Sequence, residues 1–93
     1  MKTILITGGS RGIGEAIVRL AVGKYKVAFT YNTNEAKAKA LAEEVGASAY
    51  PCDVSSSASV EEMIASVVKD FGSVDLLVNN AGIAEDKLFQ DIT

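Results

Sequence analysis

The 93-residue sequence contains no histidine and no tryptophan, and only one cysteine and one proline. Without an imidazole there is no histidine-based nucleophilic triad and little from which to build a zinc site. Cys52 alone cannot close an internal disulfide, which fits a reducing cytoplasm. No apolar run approaches the ~20 residues of a membrane span. The run Thr3–Ile6 after Met1-Lys2 breaks on Gly8-Gly9 too soon for the core of a signal peptide. A net charge of −3 leaves no basic footprint for nucleic acid or an anionic membrane. Tyr25, Tyr31 and Tyr50 form no pattern on which bases would stack.

What is present is ordinary for a soluble domain: 48% apolar residues, 23% charged residues and eight glycines. A chain of this length buries roughly 60–70% of its unfolded surface, enough for one modest core. Residues 1–93 therefore read as one domain.

Four short apolar runs alternate with three helical patterns. The first strand is expected at about 3–7. The helix after it carries apolar residues at Ile13, Ile17, Leu20 and Ala21, the i, i+4, i+7, i+8 spacing of a buried stripe, and Gly23 is placed to end it. Lys26–Tyr31 reads as the second strand. Thr33 or Asn34 can cap a second helix, with an inner face of Ala38, Leu41, Ala42 and Val45 and a stop at Gly46. Ser48–Cys52 reads as a short third strand whose Pro51 belongs at a sheet edge, because proline cannot donate to a ladder. Ser55-Ser56-Ser57 offers a cap for a third helix with the stripe Val60, Ile64, Val67/Val68 and Phe71, closed by Gly72. Val74–Asn79 reads as the fourth strand, and Asp86–Ile92 as the start of a fourth helix. Strands separated by helices run parallel with right-handed crossovers, so the order expected is 3-2-1-4: the N-terminal half of a doubly wound α/β sheet of Rossmann type.

In such a sheet the C-terminal strand ends share one rim, and ligands bind there. The first of these ends runs into Thr-Gly-Gly-Ser-Arg-Gly-Ile-Gly at 7–14. A glycine-rich turn between a buried strand and a helix can hold a phosphate: Gly8 permits the sharp turn, and Gly12 and Gly14 let a backbone or diphosphate come close. The free N–H groups and positive end of the helix dipole then meet the negative charge. The other strand ends contribute Asn32-Thr33, Asp53-Val54 and Asn79-Asn80-Ala81-Gly82. Alternative readings remain open on these residues alone. The turn can be a tight connection only, Asp53 a brace for its own loop, Arg11 a solvated surface residue, and Asn79 and Asn80 partners for loop backbone. Cys52 reads as a small buried apolar side chain, and Lys37, Lys39, Glu43 and Glu44 as a solvated helix face.

With Thr-Gly-x-x-x-Gly-x-Gly at 7–14, Asp-Val at 53–54 and Asn-Asn-Ala-Gly at 79–82 in register, the sequence resembles the N-terminal part of the short-chain dehydrogenases/reductases over essentially its whole length. The resemblance is to 3-oxoacyl-(acyl-carrier-protein) reductases or to elongation factor P aminopentanone reductases, with the tail from Asn79 to Thr93 leaning towards the latter. It implies that Gly8, Gly12 and Gly14 shape a diphosphate cradle with Ser10, Arg11 and Ile13 close to the cofactor. It implies that Asp53 accepts from the adenine amino group with Val54 beside the ring. Asn80 is then expected to stabilise the central strands, and Ala81-Gly82 to let the cofactor ribose lie against the backbone.

Charge decides the cofactor expected. NAD binders place an acid about 20 residues after the glycine loop, to accept from the ribose 2′-hydroxyl. That place is Tyr31-Asn32-Thr33, which has none, while Arg11 can pair with a 2′-phosphate. NADP(H) is therefore expected over NAD(H). The family's Ser and Tyr-x-x-x-Lys are not found in residues 1–93; Tyr31 and Tyr50 lie in the wrong elements and have no lysine four residues on. Binding without normal reductase turnover is the expectation for these residues alone, with a stand-alone nucleotide-binding module or an oligomerising structural half-fold as alternatives. No metal is expected, and no substrate can be named. An apolar Val74–Val78 edge would let two copies pair their fourth strands into a homo-oligomer.

Overall fold

The alternation of strand and helix patterns resolves into β1 (Thr3–Thr7), α1 (Gly12–Ala21), β2 (Lys26–Tyr31), α2 (Glu35–Val45), β3 (Ser48–Pro51), α3 (Ser57–Phe71) and β4 (Leu76–Asn79) in the computed structural model, which describes residues 1–9 and 12–80. The strands form one parallel sheet in the order β3-β2-β1-β4, the order expected. Pro51 pairs with Tyr31 on the outermost strand β3, where a missing N–H costs the ladder least. The fourth helix expected at Asp86–Ile92 lies outside the described residues, as do Ser10, Arg11, Ala81 and Gly82.

Because side chains alternate along a strand, β1 and β2 feed two cores. Ile4, Ile6, Val27, Phe29 and Tyr31 meet Val18 and Ala21 of α1 and Ala38 and Leu41 of α2 on one face. Leu5 and Ala28 meet Cys52 and the α3 residues Met63 and Val67 on the other. All five residues of β1 are buried, as a central parallel strand covered on both faces requires.

Helix ends follow local chemistry. Ser56 caps α3, its hydroxyl oxygen accepting from the Ser59 N–H at 3.3 Å. Asn34 occupies the cap position of α2 without a side-chain cap bond, and Gly46 ends that helix in the left-handed conformation. Gly23 does not end α1 in that way: the helix stops at Ala21, and the N–H groups of Lys24 and Tyr25 both donate to the Ala21 carbonyl.

Two helices match the expected stripes only in part. On α1, Ala21 is buried and Ile17 partly buried as expected, but Ile13 and Leu20 are 63% and 78% exposed, and Gly14 and Val18 face the sheet in their place. Gly14 is the cause. A Cβ there would lie 2.0 Å from the Gly8 carbonyl oxygen, so the one position without a side chain is pressed onto the turn. Val18 and Ala21, one and two turns on, are thereby carried onto the sheet. On α3, Met63 and Val67 lie deepest, flanked by Val60 and Phe71, while Ile64 and Val68 remain more than two-fifths exposed. The fourth strand is also shorter than the apolar run. Asp75 stands outside it, its carboxylate accepting from the Thr3 N–H at 2.8 Å while its own N–H donates to the Thr3 carbonyl.

Candidate functional site

Parallel strands bring Thr7, Tyr31, Pro51 and Asn79 to one rim, and each is followed by the loop residues singled out from sequence. Gly8 and Gly9 leave β1 in a turn held from two neighbouring strands. From β2, the Thr30 hydroxyl oxygen accepts from the Gly8 N–H at 3.0 Å, and the Thr30 carbonyl accepts from the Gly9 N–H at 3.0 Å. From the end of β4, the Asn80 amide donates to the Gly8 carbonyl at 3.0 Å. One residue earlier, the Thr7 hydroxyl donates to Asn79 Oδ1 at 2.8 Å, tying β1 to β4 at the rim. Asn79 and Asn80 are thus partners of the turn and its strand.

Glycine is required in this turn for separate reasons. Gly8 and Gly12 have φ of 69° and 63°, left-handed backbone that side chains disfavour. Gly9 and Gly14 are required by close approach. A Cβ on Gly9 would lie 2.7 Å from Phe29 Cβ, and one on Gly14 would meet both the Gly8 carbonyl and Asn80 Nδ2. At Gly12 no non-neighbouring atom of the described residues lies within 4 Å of an added Cβ. Among the described residues, then, nothing fills the space beside Gly12, and the first N–H groups of α1, which have no partner within the helix, lie with the positive end of the helix dipole at the rim. That combination fits an anion such as a diphosphate.

The remaining described rim residues are mostly exposed. Ile13, Asn32, Thr33 and Asp53 are exposed, and Val54 is half-buried. No carboxylate stands at Asn32 or Thr33, and the first acid beyond them, Glu35, is in α2 and pairs with Lys39 at 2.9 Å. Lys37 approaches Glu15 at 3.8 Å, and Arg19 bridges Glu15 and Glu44, so these charges brace α1 against α2. Glu44 and Glu15 hold the Arg19 guanidinium well above its ordinary pKa. Among the described residues no cluster of three or more metal-ligating side chains occurs.

Asp53 does brace its own loop. Its Oδ1 accepts from the Ser55 hydroxyl at 2.6 Å and the Ser55 N–H at 3.0 Å, while its own N–H donates to Ser59 Oγ at 2.9 Å. Its Oδ2 accepts no hydrogen bond among the described residues, so the carboxylate keeps a face for a further donor. The Ser55 bonds favour the charged form and hold the carboxyl below the ordinary 3.8. A lowered folded-state pKa means the brace is fully present above the unfolded value and is lost as pH falls through the lowered one. The Ser55 amide signal is therefore expected to titrate with a midpoint below 3.8, and Asp53→Asn to remove that titration, as read by NMR across the acid range. Cys52, beside it, is buried, and burial pushes its thiol up, away from reactivity.

Thr7 opens the glycine motif, whereas Thr30 is a site residue that the sequence motifs do not include. The available signal was a threonine at or next to the end of each central strand, where the rim begins.

Residues 2–93 match the family described as short chain dehydrogenase. The chain is 50% identical over 93 residues to an acetoacetyl-CoA reductase of Rhizobium meliloti (strain 1021), covering 99% of this chain and 39% of that protein. It is 47% identical to a 3-oxoacyl-(acyl-carrier-protein) reductase of Staphylococcus epidermidis, covering 94% of this chain and 38% of the other. Among solved structures, a dehydrogenase/reductase from Sinorhizobium meliloti 1021 matches with a TM-score of 0.81 at 35% identity, over 85% of this chain and 34% of that one. BdcA, an E. coli protein, in complex with NADPH, matches with a TM-score of 0.68 at 44% identity, over 84% of this chain and 31% of that one. The chain thus spans about two-fifths of the length of these two reductases. Matched over residues 2–93, and sharing its fold with the solved dehydrogenase/reductase, the chain belongs to the short chain dehydrogenase family.

Proposed function

We propose that residues 1–93 are the cofactor-binding half-domain of an NADPH-dependent reductase of 3-oxoacyl thioesters. The observation that carries this is the glycine turn: it is fixed by β2 and Asn80, and it leaves the start of α1 open at Gly12. The N–H groups there would hold the diphosphate. Asp53 Oδ2 would accept from the adenine amino group, with Val54 beside the ring. Ser10, Arg11, Ala81 and Gly82 would complete the cradle as the family resemblance implies. The reduced nicotinamide supplies a hydride when bound. Both named reductases are named for 3-oxoacyl groups, which supports the substrate class.

The choice of NADP(H) rests on charge. An acid at the end of β2 would accept from a ribose 2′-hydroxyl and repel a 2′-phosphate, and Asn32 and Thr33 carry none. Arg11 is the cation proposed to pair with the phosphate. The complex of BdcA with NADPH points the same way.

Titration of the 93-residue polypeptide with each cofactor, followed by nucleotide fluorescence, tests the reading. NADPH is expected to bind at least about tenfold more tightly than NADH, a difference of about 1.4 kcal/mol. Equal affinities would overturn the preference, and no binding at millimolar NADPH would overturn the cofactor role. The same polypeptide is expected to show no NADPH-dependent reduction of acetoacetyl-CoA, because residues 1–93 contain no Tyr-x-x-x-Lys. A cytoplasmic setting is part of the proposal, consistent with the single buried thiol of Cys52. So is association of two copies through β4, where Leu76 and Leu77 are 42% and 44% exposed; a monomer by light scattering at micromolar concentration would contradict it.

A further inference from the structure

We infer that Thr30, a β2 residue outside the glycine motif, is a positioning residue for the cofactor cradle: it takes the first two N–H groups of the turn and leaves phosphate binding to those at the start of α1. The inference rests on the cofactor role proposed above. Its geometric part stands without it.

Thr30 is 1% exposed and lies on β2 one step beyond the Ile6–Phe29 pair, level with the point where β1 gives way to the turn. Its hydroxyl oxygen accepts from Gly8 N–H and its carbonyl from Gly9 N–H, each at 3.0 Å. Both donors therefore point at β2 and are unavailable to an anion at the rim. The preceding residue presses on the same turn, since Phe29 and Val18 together leave no room for a Cβ on Gly9. With Asn80 holding the Gly8 carbonyl from the other side, the peptide between Gly8 and Gly9 is clamped in one orientation. The next described donors begin at Gly12, where an added Cβ would meet nothing within 4 Å. Replacing the hydroxyl by a methyl of the same shape would leave a part-buried Gly8 N–H without its acceptor, and the turn would relax to solvate it. A diphosphate would then meet a cradle that must be reordered on binding.

The experiment compares wild type, Thr30→Val and Thr30→Ser by amide hydrogen exchange at Gly8 and by NADPH titration. In wild type, Gly8 is expected to be protected, and NADPH is expected to change its exchange less than twofold while shifting the amides of Gly12–Gly14. Thr30→Val is expected to lose about tenfold in Gly8 protection and to raise the Kd for NADPH about tenfold. Thr30→Ser, which keeps the hydroxyl, is expected to bind within about twofold of wild type. Full Gly8 protection in Thr30→Val, or unchanged NADPH affinity, would overturn the inference. If Thr30→Val fails to fold, Thr30→Ser decides: weakened binding in that variant would overturn it. Failure of wild type to bind NADPH would overturn the cofactor role and with it the part of Thr30 in binding, while Gly8 protection would still report whether the clamp exists.

Discussion

Gly14→Ala is expected to abolish NADPH binding and to cost the chain about 3 kcal/mol of stability, the upper end of what overpacking a core position costs. A single methyl has this effect because of where it would go. Its carbon would lie 2.0 Å from the Gly8 carbonyl oxygen and 2.7 Å from Asn80 Nδ2, the donor already bonded to that oxygen. Both obstacles are backbone or clamped side chain, so neither can swing aside as the end of a long side chain could. Relief requires α1 to lift off the turn, which draws Val18 and Ala21 out of the core they share with Phe29 and Ile6. For a domain of this size the loss corresponds to a fall in melting temperature of roughly 4–8 °C per kcal/mol. Gly12→Ala provides the contrast. Among the described residues an alanine there meets no non-neighbouring atom within 4 Å, and it carries the strain of φ 63°, a cost of about 1 kcal/mol. Thermal denaturation of the two variants separates close approach from conformational strain. Equal melting temperatures would contradict the packing described for Gly14.

Asn32→Asp is expected to invert the cofactor preference. Asn32 is exposed at the end of β2, and no carboxylate stands at its position or at Thr33. A new carboxylate there would accept a hydrogen bond from a ribose 2′-hydroxyl and repel a 2′-phosphate. Two unit charges 4 Å apart interact by about 1 kcal/mol in water and about 4 kcal/mol near a protein surface, so the repulsion amounts to about a tenfold loss or more. NADPH binding is expected to weaken by at least that factor while NADH binding strengthens. Because the repulsion is electrostatic, its effect on NADPH should shrink at high salt. Titrating the variant with both cofactors at low and high ionic strength checks this; an unchanged ratio would remove the charge argument for NADP(H).

The sheet was legible in the sequence because parallel strands have to be apolar on both faces and separated by helices. The runs at 3–7, 26–31, 48–52 and 74–79, with Pro51 demanding an edge, lead to the order found. The α2 face Ala38, Leu41, Ala42 and Val45 was legible for the same reason, since nothing but burial sets its phase. The phase of α1 was not legible from its apolar residues. A close contact at Gly14 sets it, and a residue without a side chain carries no hydropathy signal. At the rim, the glycine turn could be read as a turn and Asn80 as a partner for loop backbone, but the part of Thr30 could not. Thr30 and Asn80 reach the turn from residues 22 and 72 positions away along the chain. Asp53 shows the reverse case: its local bonds to Ser55 follow directly from Asp-Val-Ser, and among the described residues they leave Oδ2 without a hydrogen bond.

The most direct test of the account is an amide chemical-shift map of the 93-residue chain titrated with NADPH. The account predicts shifts concentrated at the strand-end rim, in Gly12–Gly14, Asn32-Thr33 and Asp53-Val54, with no comparable change at Lys2, Lys26 or Val74 at the opposite end of the sheet. Shifts spread over both ends, or none at the start of α1, would contradict it.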